Sequence, residues 1–370
     1  MKGKRRFDYV LLIVALALMG IGIVMVYSTS AILAGDRFQD PYYFLKRQAL
    51  YAGIGFVLMI LMMFFPYEVL KRFAYPIFIL SILSLIAVLI PGIGHRAGGS
   101  MRWLKIGSFS FQPSEFAKIA VILYLADFLD RKNSKLQNPF LSFMPPGLLI
   151  GIVIVLIFLG RDLGTAMLIS GVVILFYFTA GAPLRYLSIL VFTVLAGGGL
   201  TIWLSPFRRS RMLSFLHPEN DPTGISYQIN QSLIGVGNGG LFGQGLGQGF
   251  QKLFYLPEGH TDFIFANIAE DLGFFGSVFF IALFFFLVHW GIQTAKRSTD
   301  RFQSLLATGI IGLIGLQTIL NISVVIGLFP TKGTTLPFIS YGGSSLLITL
   351  FAAGLLVNIA RNLPPEDFRI

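Results

Sequence analysis

Asp8 to Ser28 reads DYVLLIVALALMGIGIVMVYS, and no charged residue follows Asp8 until Asp36. As a helix rising about 1.5 Å per residue, such a run matches the roughly 30 Å hydrocarbon core of a bilayer. Lys2, Lys4, Arg5 and Arg6 precede it. A secretory signal also begins with cations, but its apolar core spans only about 7 to 15 residues, so this run is read as a retained spanning helix. Nine further apolar runs lie near residues 48–66, 73–91, 114–130, 145–160, 163–180, 185–205, 263–290, 303–328 and 342–360. Composition agrees. Charged residues are 12% of the 370, about half the soluble norm, while hydrophobic residues reach 55% and mean hydropathy is +0.77. The expected fold is therefore an all-α integral membrane protein. It has about ten transmembrane helices in one polytopic domain over residues 1–370, with a long extracytoplasmic loop at about 206–262 between helices 7 and 8. With no cysteine in the chain, disulfide scaffolds, zinc-thiolate sites and cysteine nucleophiles are excluded.

Lys and Arg beside a first helix hold that end in the cytoplasm. Ten spans then return the C-terminus to the same side. The net charge is +11, from 28 Lys and Arg against 17 Asp and Glu, yet many cations fall on the far side or at membrane depth. Among them are Arg102, Lys118, Arg161, Arg209, Arg211, Lys252 and Lys332. Translocating cations is disfavoured, so their number there points to an anionic ligand outside.

Ionisable groups at membrane depth cost about 2.5 to 3.5 kcal/mol each on insertion scales, which makes each a candidate for function. Glu115 and Lys118 share one helical face at i and i+3, in Phe111-Gln112-Pro113-Ser114-Glu115, where Ser114 is placed to cap the helix. They read either as a capped helix with an internal ion pair or as a phosphate site with Lys118 one turn deep. Asp162, in Arg161-Asp162-Leu163-Gly164-Thr165, suits a helix first turn or the task of orienting Lys118. Asp262 sits at the lip of a span, in Leu256-Pro257-Glu258-Gly259-His260-Thr261-Asp262-Phe263. Partial desolvation there raises a carboxylate toward the range of a general base, whereas as a helix cap it would do no chemistry. Glu270 and Asp271 follow at depth, where two adjacent acids are hard to keep charged unless one is paired.

The run Gly235-Val236-Gly237-Asn238-Gly239-Gly240 lacks the flanking strand and helix of a dinucleotide site, and there is no Walker A motif. Without a nucleotide site, a membrane machine must use an ion gradient or a substrate that carries its own activation. His95, His217, His260 and His289 have no ligand spacing. The stretch from Gly327 to Ser345, with two prolines and four glycines, reads as irregular backbone lining a wet cavity at the entrance to the last span.

Asp8-Tyr9, Val24-Met25-Val26-Tyr27-Ser28, Pro41-Tyr42-Tyr43-Phe44-Leu45-Lys46-Arg47-Gln48, Gly98-Gly99-Ser100, Arg102-Trp103, Gln112-Pro113-Ser114-Glu115, Asp162-Leu163-Gly164-Thr165, the stretch from Gln244 to Ala266, and Pro330-Thr331-Lys332-Gly333 with Leu336-Pro337-Phe338-Ile339-Ser340-Tyr341-Gly342-Gly343-Ser344-Ser345 follow one another in this order. Together they closely resemble the SEDS family of bacterial wall proteins (shape, elongation, division, sporulation), its division-type members more than its elongation-type members. Arg161 stands where proline is usual in the family, Met101 where a basic residue is frequent, and Gly259 where alanine is common.

The resemblance implies a ten-helix peptidoglycan glycosyltransferase that polymerises lipid II at the outer face of the bacterial cytoplasmic membrane, at the division septum. Its expected partners are a class B penicillin-binding protein and other divisome membrane proteins, with no nucleic acid. Asp262 is the general base by this match. Arg102, Lys118, Arg209, Arg211 and Lys332 are candidates for contacts to the diphosphate, Glu115 and Asp162 orient Lys118, and Ser114, His260 and Ser340 join the substrate-binding set. A divalent cation, Mg2+ or Mn2+, would help neutralise the diphosphate, although no dedicated site is readable. Two other readings use the same features: a flippase or transporter for lipid II, and a scaffold that only recruits the division machinery. Polymerisation calls for Asp262 and the cations clustered outward; flipping calls for charges through both halves of the membrane.

Overall fold

A computed structural model describes residues 6–97, 100–107, 109–132, 139–216 and 226–363. Lys2, Lys4 and Arg5, which carry the topology expectation, lie outside the described residues, as do Gly98, Gly99, Lys135, His217 and Arg369. Every one of the ten apolar runs falls on a helix. The order is α1 (Arg6–Phe38), α2 (Tyr43–Phe64), the short α3 (Tyr67–Arg72), α4 (Ala74–Leu89), α5 (Pro113–Arg131), α6 (Pro139–Leu159), α7 (Leu163–Thr179) and α8 (Leu184–Leu204). The long connection holds α9 (Pro206–Leu216) and α10 (Tyr227–Asn238), and α11 (Ile264–Arg297), α12 (Arg301–Val325) and α13 (Gly343–Arg361) complete the chain.

By length and apolar character α1, α2, α8, α11, α12 and α13 can each cross a bilayer; α4, α7 and the Phe143–Leu159 part of α6 are shorter apolar helices. Burial covers every residue of α5 from Pro113 to Leu129 except Phe116, and most of α12 and α13, so these form the centre of the bundle. On α8 only Leu187 is buried. Such an apolar, outward-facing helix is at home only in lipid.

One element departs from the all-α expectation. Between α4 and α5 the strands β1 (Gly94–Ala97), β2 (Ser100–Ile106) and β3 (Phe109–Phe111) form a three-stranded antiparallel sheet in the order β1-β2-β3. Its strands are too short for a clear period-2 signal. Gly107, at φ 61, makes the turn from β2, a conformation glycine adopts at no steric cost.

The glycine-rich stretch has a packing role. Helix α11 breaks at Gly273 (φ 67, ψ −165), and loop 239–249 docks against the break. Gln244 and Gly245 donate their N–H groups to the carbonyls of Glu270 (2.9 Å) and Asp271 (3.0 Å), while Phe274 N–H returns a bond to the Gly240 carbonyl (2.8 Å). A Cβ on Gly243 or Gly273 would collide with the opposing backbone. The glycines therefore permit backbone to meet backbone beside a helix interruption.

Alternate connections meet at opposite ends of the bundle. At one end Tyr341 N–H bonds the His260 carbonyl, Ser340 bonds Thr261, and Gln112 N–H bonds Ser344. At the other, Lys71 pairs with Asp130 at 2.5 Å and lies over the Phe302 ring, and Asn358 bonds the Phe65 carbonyl.

Candidate active site

Asp262 precedes α11, but the capping position belongs to Phe263 and no side chain caps that helix. The carboxylate is thus free of the structural task that would have explained it. It faces Gly333: a Cβ built there would stand 3.3 Å from Asp262 Oδ2 and 3.8 Å from Arg102 Nη1. Removal from water, then the charge of Glu258 and to a smaller extent that of Asp162, push the Asp262 pKa up; Arg102 and Arg211 pull it down, and it settles at about 7. A carboxylate tuned to neutrality is matched to taking a proton from a hydroxyl.

Two of the expected cations, Arg102 and Arg211, act on Asp262, and a third, Lys332, is the chain neighbour of Gly333. Arg102, on β2, donates from Nη2 to the Arg161 carbonyl and lies 4.0 Å from Asp162 Oδ1. Arg161 itself has φ 63, which the ring of a proline could not adopt, and it is from this turn that its carbonyl meets Arg102. Arg211, on α9, donates to the Thr331 carbonyl at 3.4 Å. Burial, then the nearby Arg102, lower its pKa, and Asp262 opposes them. Both guanidinium Nε atoms are buried without a partner, which leaves a donor on each. The Lys332 ammonium lies 2.9 Å from Met167 Sδ and 5.6 Å from the Phe329 ring centre, and burial lowers its pKa. A thioether is a weak acceptor, and among the described residues Lys332 has no carboxylate partner. An anion entering here meets donors not already spent.

Of its two readings, Asp162 takes the structural one at the start of α7 and not that of orienting Lys118. Its Oδ1 accepts from the Thr165 N–H and caps α7; Oδ2 accepts from Thr165 Oγ1 (3.0 Å), Ser114 Oγ (3.2 Å) and Gln112 Nε2 (3.4 Å). With its oxygens so occupied, it makes no ion pair with Lys118 among the described residues. Nor does Ser114 cap α5: Gln112 holds that position, Pro113 opens the helix, and the Ser114 hydroxyl turns to Asp162. Lys118 is buried, 2.7 Å from Glu115 Oε2 and 2.9 Å from Gln317 Oε1. The i,i+3 pair expected from spacing is present.

Ser340 donates to the Thr261 carbonyl (2.6 Å) and accepts from Leu336 N–H (2.7 Å), which ties the last loop to the Asp262 loop. His260 packs its ring 4.7 Å from Phe44 and 5.8 Å from Tyr341, and burial lowers its pKa. Arg209 is exposed on α9, and among the described residues no side-chain bond draws it to this group. No cluster of three His, Asp or Glu side chains among the described residues could hold a metal ion. Among the described residues, therefore, the side chains alone form no cage for Mg2+ or Mn2+.

Three features escape the sequence patterns. Gln317 and Asn321, spaced i,i+4 on α12, contact both loops of the site; two amides on one face of an apolar run are the signal that marks them. Below the site, Lys252 pairs with Asp271 and donates to Ser28 Oγ at 2.6 Å. Glu270 accepts the N–H groups of Phe250 (3.0 Å) and Gln251 (3.1 Å). The adjacent acids are thus reconciled, one by an ammonium and the other by backbone donors.

Comparison with known proteins follows the same length of chain. Residues 8–364 match the FtsW/RodA/SpoVE family, described as "Cell cycle protein". The chain is 45% identical over 360 residues to the probable peptidoglycan glycosyltransferase FtsW of Geobacter metallireducens, covering 97% of this chain and 96% of the relative. It is 43% identical over 354 residues to the stage V sporulation protein E of Bacillus subtilis, covering 96% and 97%. Among solved structures, a chain from "Structural coordination of polymerization and crosslinking by a peptidoglycan synthase complex" superposes with a TM-score of 0.79 at 30% identity, covering 96% of this chain and 98% of that one. The RodA rod shape determining protein of Thermus thermophilus gives 0.71 at 28% identity, covering 96% and 97%. On sequence and fold together, the chain belongs to the FtsW/RodA/SpoVE family, and FtsW is favoured over RodA.

Proposed function

We propose that this peptidoglycan glycosyltransferase of the division type polymerises lipid II at the outer face of the cytoplasmic membrane, with Asp262 as its general base. The acceptor sugar's 4-hydroxyl gives its proton to Asp262 as its oxygen attacks the donor's anomeric carbon. The bond from that carbon to the diphosphate breaks, configuration inverts, and undecaprenyl diphosphate leaves. Arg102, Arg211 and Lys332 stabilise the charge that develops on the diphosphate. The substrate carries its own activation, which fits a chain without a nucleotide motif.

The observation that carries this reading is the approach of a carboxylate of pKa about 7 and of the Arg102 guanidinium to the same residue, Gly333. A base and a cation so close together suit a reacting centre whose hydroxyl meets the one while its leaving group meets the other. In the same reading all ten long helices cross the membrane, both termini are cytoplasmic, the end holding Asp262 faces outward, and the protein works at the septum. A class B penicillin-binding protein is the partner, together with other divisome membrane proteins. The similarity to a chain solved for a complex that polymerises and crosslinks supports that pairing.

The test is strand synthesis from lipid II by the purified full-length chain with its transpeptidase partner. Asp262→Ala abolishes synthesis while leaving the protein monodisperse and its melting transition cooperative. Synthesis at the unaltered rate by Asp262→Ala sinks the assignment.

A further inference from the structure

We infer that Gln317 and Asn321, one turn apart on α12, are positioning residues that fix the Asp262 loop against loop 331–335 and so set the distance between the base and the leaving-group cations. Both are buried, at 4% and 1% exposure. Asn321 Nδ2 donates to the Asp262 carbonyl at 2.8 Å and to the Thr334 carbonyl at 2.6 Å. Gln317 Nε2 donates to the Thr335 carbonyl (2.8 Å) and Oγ1 (3.2 Å), while its Oε1 accepts from Lys118.

The chemistry of the partners allows each amide one orientation only. Carbonyls accept and an ammonium donates, so the Asn321 NH2 must face the two loops and the Gln317 NH2 must face Thr335. Lys118, held by Glu115, fixes Gln317 from behind. Neither loop has regular structure of its own across these residues, whereas α12 is a buried helix of 25 residues. The rigid element therefore places the irregular ones, which is what a site needs to hold reacting groups to within a fraction of an ångström. Gly333, which faces Asp262 Oδ2 and Arg102 Nη1, is directly bonded to Thr334. A shift of the Asn321 amide therefore moves both Asp262 and the backbone next to Gly333.

The inference rests on Asp262 being the base, and the test separates the two. Asn321→Leu and Gln317→Met remove the donors at similar volume without adding charge. In the full-length chain with its transpeptidase, each lowers kcat for strand synthesis by roughly 10- to 100-fold, the scale of a small misplacement, with KM for lipid II within about twofold. Loosening the loop also returns water to Asp262. The groups that face it, Glu258 on its own loop, Arg102 on β2, Asp162 ahead of α7 and Arg211 on α9, are unchanged, so the acid limb of the pH–rate profile moves down by about one unit.

A residue that only supports folding would reduce active protein equally at every pH and leave the limb in place. Unchanged kcat, or a lower kcat with an unmoved limb, overturns the inference. Should Asn321→Leu not be recovered as monodisperse protein, Asn321→Ser, which keeps one donor, is held to the same two readouts. Asp262→Asn is assayed alongside. If it is active, the base assignment falls; if it is inactive while Asn321→Leu behaves as the unaltered protein, only the amide inference falls.

Discussion

Asp262→Asn tests the electrostatics of the site without reference to catalysis. The folded protein raises the Asp262 pKa from 3.8 to about 7, so it binds that proton more tightly than the unfolded chain does. Stability falls with pH wherever the folded state binds more protons. Below about pH 4 the carboxyl is protonated in both states and costs nothing; as pH rises from about 4 to 7 the penalty accumulates, and above 7 it is complete. Three units at about 1.4 kcal/mol each give roughly 4 kcal/mol. Asp262 keeps part of its surface in contact with solvent, and screening reduces the expected cost to about 2 kcal/mol. Asparagine has the same shape and no charge. At pH 8 Asp262→Asn is therefore more stable than the unaltered protein by about 2 kcal/mol, a rise of a few °C in Tm, and more than half of that gain is gone by pH 5. Thermal unfolding in detergent, followed by tryptophan fluorescence at both pH values, measures it. The same shift places the acid limb of the pH–rate profile of strand synthesis near pH 7. A variant less stable than the parent at pH 8, or a difference equal at pH 5 and pH 8, refutes the claim that a strained, desolvated carboxylate stands at Asp262.

Two further outcomes follow from the geometry. Gly333→Ala places a methyl 3.3 Å from Asp262 Oδ2 and 3.8 Å from Arg102 Nη1, and lowers strand synthesis by about 10-fold or more at an unchanged Tm; full activity would mean that substrate does not pass between the two groups. Lys252→Met leaves the Asp271 carboxylate buried and unpaired and costs about 3 to 5 kcal/mol of stability, read as a drop in the unfolding transition, whereas Lys252→Met with Asp271→Leu recovers most of it.

Much of this architecture is legible because lipid simplifies the code. A spanning helix must be long and apolar, and each of the ten runs seen in the sequence is a helix. Charged residues near such runs stand out, which is how Asp262, Arg102, Arg211 and Lys332 come to notice before any geometry is known. What is hidden is direction. Arg209 and Arg211 look equivalent in sequence, but two residues advance a helix by about 200°, so one is exposed and the other reaches the Thr331 carbonyl. Partners are hidden too. Asp162 and Lys118 sit far apart in sequence and each is satisfied by neighbours that spacing does not reveal. Gln317 and Asn321 are neutral and scarcely mark a hydropathy profile, although their amides join the two loops of the site. The glycines of 239–249 carry no ligand motif in sequence, and only the break at Gly273 shows what they approach.

The distribution of charge through the bundle bears on polymerisation against transport. A carrier that moved a diphosphate across the membrane would need polar groups along the path, because a charge at the bilayer centre is costly wherever it is unsupported. On α5, the helix buried along its length, Glu115 and Lys118 lie near the site end and Asp127 and Asp130 near the other. The residues between them, Ile119 to Ala126, are all buried and apolar except for the tyrosine hydroxyl of Tyr124, which stacks on Phe78 at 4.4 Å. The two charged ends also have separate partners: Glu115 pairs with Lys118, which donates to Gln317, whereas Asp130 engages Lys71 and Asp127 engages Arg131. Asp262, Arg102, Arg211, Lys332 and the Lys252–Asp271 pair all belong to the loops and helix ends of one side. Among the described residues, this arrangement gathers Asp262 and the cations near it at one surface and leaves the middle of α5 apolar. Chemistry at that surface needs nothing more, and this is why the charge pattern favours a polymerase over a carrier.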